Sequence, residues 1–253
     1  MSSRDPWGEL PSPALRSLYR PQAARDWALT IEPMVFSPGY WGAARLVEEL
    51  VVLRRGDDVW MSLTPLELES EAIGIAAASG HVVVMGLGLG WAAAECALRD
   101  EVAMVTVIEA DPAVIALHGD LDLFARLPNR CGDKVRIVAH DAMTWQADCP
   151  VDTMVADIWL PLISEQDRAA EVRQMQANVA AKAVYFWGQE LELARQAVAQ
   201  GLAIDAAGIA AVADTWGLPL VGPQMPDYAA LTRAAAKAWM RGRWLPGTEN
   251  PFA

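Results

Sequence analysis

The stretch that most constrains how this chain can fold is HVVVMGLGLGW, residues 81–91. Val82, Val83, Val84 and Met85 form a short apolar run between Gly80 and Gly86. A run of that length and β-branched character, bounded by glycine, predicts a strand buried on both faces, as in the middle of a parallel sheet. Three alternate glycines follow, Gly86, Gly88 and Gly90, and then an alanine-rich helical run from Trp91 to Leu98. Strand, glycine turn and helix in succession are the first βα unit of a nucleotide-binding α/β fold. Glycine permits the sharp turn and leaves room for a ligand against the backbone.

A dinucleotide fingerprint, G-x-G-x-x-G, needs its third glycine at position 91, where this chain has Trp91. An indole there obstructs close helix–strand packing around a pyrophosphate, which disfavours a dehydrogenase. Further acids fall at strand ends in a fixed order. Residues 102–108 read as a second strand, ending in Glu109; an acid there can accept two hydrogen bonds from a ribose diol. Asp111 and Pro112 then start a helix, as N-cap and first-turn proline. Residues 135–138 read as a third strand, followed by His140, Asp141 and Ala142, and residues 151–156 as a fourth, ending in Asp157.

The glycine turn, Glu109, the Asp141-Ala142 pair and Asp157 together resemble the motif series of the class I S-adenosylmethionine-dependent methyltransferases, over roughly residues 65–190. The resemblance implies a doubly wound, mostly parallel α/β sheet of the Rossmann-like methyltransferase kind. It implies S-adenosylmethionine as cofactor, held by Gly86, Gly88 and Gly90, with Glu109 on the ribose and Asp141 with Ala142 on the adenine. It also sets Asp157 beside the reacting centre.

The flanking segments sharpen this. Residues 1–25 carry four prolines and read as an irregular arm, with one helical turn around Ala14 to Tyr19. Residues 27–32 read as a short strand and 37–42 as a turn. Residues 45–53 and 59–63 read as strands joined by the hairpin turn Arg55-Gly56-Asp57-Asp58. A small N-terminal antiparallel β element (1–63) is thus expected before a nucleotide-binding domain (64–253). Thr64, Pro65 and Glu67 form a capping box for a helix running to Ala78. Hairpin, acidic helix and nucleotide core in that order resemble the spermidine synthase branch, whose corresponding helix borders the active site.

The chain departs from that branch in two places. Its glycine turn has Leu87 and Leu89 where the branch has G-G-G-D-G, and Asp157-Ile158-Trp159-Leu160-Pro161 replaces D-S-S-D-P. One aspartate remains to handle a substrate amine, so altered chemistry is expected. Beyond Pro161, helices are expected from Glu165 to Val179, capped by Ser164, and over 190–199, 205–216 and 228–241, with a strand at 183–187. The two antiparallel strands that ordinarily close this fold are not evident.

Composition narrows the partners. A net charge of -12 counts against a nucleic-acid backbone and favours a small-molecule substrate. Cys96, Cys131 and Cys149 are odd in number and unpaired in spacing, which fits free thiols in the cytoplasm rather than a disulfide framework or zinc site. No apolar run reaches the roughly 20 residues of a membrane span, and no signal peptide is visible at Met1. Tryptophan is abundant, at 11. Trp41, Trp60, Trp91, Trp159 and Trp187 lie near turns or strand ends; most read as packing, and Trp159, two residues past Asp157, as the functional exception, since an aromatic face suits a cation. The three histidines read as structural. Glu67 and Glu71, four apart, read as a solvated helix face. A homodimer through the hairpin and tryptophans is left open.

These residues favour methyl transfer to a small, amine-bearing molecule, with Asp157 and Trp159 at the reacting centre. Two alternatives stay open: aminopropyl transfer from decarboxylated S-adenosylmethionine, and a non-catalytic nucleotide-binding protein.

Overall fold

Two sheets carry the chain in a computed structural model that describes residues 13–164 and 167–253. The irregular arm expected over residues 1–12 and the helix start expected at Glu165 lie outside the described residues. A single helical turn, α1 (Pro13–Arg16), precedes an antiparallel sheet of β1 (Gln22–Ala24), β2 (Trp27–Ser37), β3 (Arg45–Arg55) and β4 (Asp58–Ser62), in sequential order. β1 was not legible in the sequence, because three residues, QAA, carry no period. β2 runs eleven residues rather than six, since its outer half continues to pair with β3 from Met34 opposite Glu48 to Ser37 opposite Arg45.

The second sheet has five parallel strands in the order β7-β6-β5-β8-β9, where β5 is Gly80–Met85, β6 Val102–Glu109, β7 Val135–Ala139, β8 Thr153–Ala156 and β9 Ala183–Phe186. The helices are α2 (Pro65–Ala77), α3 (Trp91–Leu98), α4 (Pro112–Leu121), α5 (Arg168–Val179), α6 (Gln189–Ala199), α7 (Ala206–Trp216) and α8 (Tyr228–Trp239). The chain steps outward from β5 to β6 and β7, then crosses back to β8 and β9. The strand order therefore reverses between β5 and β8, and such a switch point opens a crevice at the carboxyl ends.

The expected doubly wound α/β fold with an N-terminal antiparallel element is what the structure has. The period of two in β5 divides the interior. Val82 and Val84 pack into a core shared with α3, α4 and the N-terminal sheet, while Val83 and Met85 pack into one shared with α5, α6, α7 and α8. Leu29, Leu53 and Leu63 belong to the first core, so the small sheet rests on the parallel-sheet half through a continuous apolar interior. After β9 the chain forms α7 and α8 instead of antiparallel strands, and only an isolated bridge, Val184 to Leu220, touches the sheet there. α5 begins at Arg168, and Asp167 rather than Ser164 caps it, accepting from the Ala170 N–H at 2.9 Å. No helix among the described residues is long and apolar enough to cross a membrane.

Candidate functional site

The glycine turn leaves β5 at its carboxyl end and enters α3 directly. Gly86, Gly88 and Gly90 have φ of +97°, +47° and +72°, a region that side chains oppose. A Cβ on Gly86 would lie 2.1 Å from the Asp157 carbonyl oxygen, so glycine is also what lets the ends of β5 and β8 approach. The turn is braced from three directions. Tyr19 Oη donates to the Leu89 carbonyl at 2.9 Å, and the Leu89 N–H points to Met61 Sδ at 3.3 Å. The His118 ring lies against the Gly88 carbonyl, Nε2 to oxygen 2.9 Å, and burial lowers its pKa to about 4, so it is neutral and donates.

Glu109 ends β6 as expected, half-buried. Its Oε2 accepts from the Leu87 N–H at 2.9 Å and its Oε1 from the Asp111 N–H at 2.7 Å. One carboxylate thus ties the glycine turn to the next helix start. Asp111 caps α4 through the Ala113 N–H and also accepts from Trp27 Nε1 at 2.9 Å, which fastens the N-terminal sheet beside the turn. Asp141 follows β7; it is exposed, and its Oδ1 accepts from the Met143 N–H at 2.8 Å, a turn that buries Ala142. Asp157 follows β8. The four motif positions thus lie at the carboxyl ends of four adjacent strands.

Two acids of α2 belong here, against the expectation of a solvated face. Glu71 is 2% exposed and Glu67 is half-buried. Glu71, Asp157, Gly86 and Trp91 line one small cleft, partly open to solvent, with Met61 and Val155 among its walls. Burial, then the charge of Asp157, pushes the Glu71 carboxyl well up; Glu67 moves the same way for the same reasons. Asp157 is raised to about 6 by burial, while its hydrogen bond with Glu71 and the Arg168 charge hold it down. The pair therefore shares one proton near neutrality, Glu71 donating and Asp157 ionised. Nothing in the sequence signals this, because four-residue spacing defines a helix face without saying what covers it.

Trp159, the expected aromatic contributor, is half-buried and already engaged. Its Nε1–H donates to Glu171, and the Arg168 guanidinium lies 4.6 Å above its ring. Arg168 is fully buried, donates to the Pro161, Leu162 and Trp187 carbonyls, and also faces the Trp187 ring. It clamps the segment after Asp157 onto the end of β9. Trp41 and Trp60 pack on Tyr40 and Trp27.

Next to this lies a buried polar cluster that sequence reasoning missed. Glu190, fully buried, accepts from Tyr40 Oη at 3.1 Å. Tyr185 Oη lies 3.1 Å from Glu190 Oε1 and 2.5 Å from the Ser70 carbonyl. A phenol has one proton, and a carbonyl can only accept. Tyr185 therefore donates to Ser70, and Glu190 must be the donor to Tyr185, hence protonated. Burial raises the Glu190 pKa to about 7, while hydrogen bonds with the hydroxyls of Tyr228, Tyr185 and Tyr40 hold it down. Among the described residues no group of three or more His, Cys, Asp or Glu side chains is arranged to hold a metal ion.

Fold and site together define a doubly wound α/β protein with a crevice at its β5/β8 switch point. No family model matches the chain, and no curated protein matches it. Solved structures overlap it in part. A DhpI–S-adenosylhomocysteine complex is 19% identical over 43% of this chain and 48% of its own, with a TM-score of 0.32. The glycopeptide N-methyltransferase MtfA with S-adenosylmethionine is 20% identical over 44% and 48%, TM-score 0.35. The 23S rRNA methyltransferase ErmE is 17% identical over 51% and 55%, TM-score 0.35. The matched region is about half of each of these chains, and overlap this partial says nothing of chemistry.

Proposed function

We propose that the protein is an S-adenosylmethionine-dependent methyltransferase acting on a small, amine-bearing molecule. The observation that carries this is the set of motif residues at adjacent strand ends: a glycine turn with no room for side chains, Glu109 locked to that turn, Asp141 and Asp157. S-adenosylmethionine, when bound, supplies a methyl group already activated on sulfur. Gly86, Gly88 and Gly90 would take its backbone-facing side, Glu109 the ribose diol, and Asp141 with Ala142 the adenine. The ionised Asp157 would hold the acceptor amine in line and take its proton at a carboxylate oxygen, while Glu71 steadies that charge by hydrogen bonding. Trp159 supports the segment carrying Asp157 and is a positioning residue in this reading. The net charge of -12 supports a small cationic acceptor over a nucleic acid. A cytoplasmic location, a homodimer and the division at residue 63 belong to the same proposal.

The test is release of S-adenosylhomocysteine from S-adenosylmethionine with a panel of small primary and secondary amines. Turnover that Asp157→Asn reduces at least tenfold, with cofactor binding retained, is expected. Aminopropyl transfer from the decarboxylated cofactor to the same amines would overturn methyl transfer. Binding with no turnover on any amine would favour a non-catalytic role.

A further inference from the structure

α8 turns one side to α6 and α7 and the other to solvent. Tyr228, Thr232, Ala235 and Ala236 are buried, while Arg233, Ala234, Lys237, Ala238 and, just past the helix end, Arg241 are exposed. The exposed side consists of two parallel rows. Arg233, Lys237 and Arg241 recur every fourth residue, and Ala230, Ala234 and Ala238 do so beside them. Successive members of a row stand about 6 Å apart along the axis.

The cations of this face are unbalanced. Residues 228–248 hold Arg233, Lys237, Arg241 and Arg243 and no aspartate or glutamate. These four lie on a chain of net charge -12, so the rest of it carries -16. None of the four is in an ion pair among the described residues, although exposed arginines elsewhere are paired. Like charges four residues apart weaken a helix. The helix dipole favours Lys237 and Arg241, at the carboxyl end, but not Arg233. Arg241 has φ of +37°, a conformation that glycine takes more readily, with Gly242 next in sequence. A basic row kept against these tendencies on an acidic protein points to a partner of opposite charge.

The shape of the face selects among such partners. RNA or DNA would run past the row onto a surface of net negative charge. A lipid surface would be gripped by large apolar side chains beside the cations, and α8 offers alanine there. A helix fits both rows: the alanines let its backbone come close, and carboxylates four residues apart on it match the spacing of the cations. We propose that the exposed face of α8 is a docking site for an acidic α-helix of a partner protein. The proposal is independent of what the crevice at β5 and β8 binds.

The experiment is fluorescence anisotropy of the full chain with two labelled, alanine-rich helical peptides of equal composition. One carries glutamate at every fourth position, and the other has the same glutamates spread around the helix. The first should bind at least tenfold more tightly than the second, and several-fold less tightly as salt rises from low to physiological concentration. Arg233→Glu with Lys237→Glu should weaken it at least tenfold, and Ala234→Phe, which leaves the charges alone, at least threefold. Thermal unfolding of each variant checks the fold, and its binding of S-adenosylhomocysteine should equal the parent's. Equal binding of the two peptides, no binding of either, or a double variant that binds like the parent would overturn the docking site. So would tighter binding of a poly-uridine 20-mer or of phosphatidylserine vesicles than of the first peptide. Sedimentation showing a dimer that the double variant dissociates would overturn it in favour of a second copy of the chain.

Discussion

Replacing Glu190 by Gln should stabilise the protein, and more so as the pH rises. The cluster geometry requires a neutral side chain at this position: Tyr40 donates into it, and it donates to Tyr185, whose own proton serves Ser70. Glutamine meets both demands with its carbonyl and its amide. Glutamate meets them only while protonated. Its folded pKa, about 7, lies above the ordinary 4.5. For a carboxyl raised in this way the stabilising contribution is full below about pH 4.5 and is lost as pH rises through about 7. Each pH unit between those two values is worth about 1.36 kcal/mol, so the loss by pH 8 is about 3 kcal/mol, against under about 1 kcal/mol at pH 5. In a domain of this size that corresponds to a Tm higher by roughly 6–12 °C for Glu190→Gln at pH 8. Thermal unfolding followed by circular dichroism, in parallel for both proteins from pH 5 to pH 8, reads this directly. A Tm difference that does not change with pH, or a variant less stable than the parent at pH 8, would refute the assignment of the proton.

Two further outcomes follow from the same site. Arg168→Met should cost about 3 kcal/mol, read from urea unfolding, because a buried carbonyl, Trp187, and two part-buried ones, Pro161 and Leu162, lose their charged donor. Turnover of an amine acceptor should rise from pH 5 to pH 7, as Asp157, with a pKa of about 6, gives up its proton and can then take one from the acceptor. Asp157→Asn should flatten that rise, and initial rates of S-adenosylhomocysteine release at three pH values check it.

The sequence was legible where a residue acts locally. Glycines that must adopt positive φ, a strand buried on both faces and acids that end strands are each specified by a few neighbours, and the structure has β5, the glycine turn, Glu109 and Asp157 at the expected points of the fold. It was not legible where function depends on what another element covers. Glu71 has the spacing of a solvent-facing acid, and only the packing of α2 against α3 and the end of β8 buries it. Glu190 and Tyr185 are five apart in sequence, but Tyr40 and Ser70 reach them from 150 and 115 residues away. Trp159 illustrates the reverse error of emphasis: proximity to Asp157 in sequence marked it as functional, while its indole N–H and its face are taken by Glu171 and Arg168. β1 and the cap at Asp167 were missed for want of any local signal stronger than that of their neighbours.

The most direct test of the central claim is calorimetric titration with S-adenosylmethionine and S-adenosylhomocysteine, repeated on Glu109→Ala. Glu109 bonds the glycine turn at Leu87 and would receive the ribose, so binding of both ligands by the parent and at least a tenfold loss in the variant are expected. Absence of binding by the parent, or equal binding by the correctly folded variant, would contradict the reading of this crevice as a cofactor site.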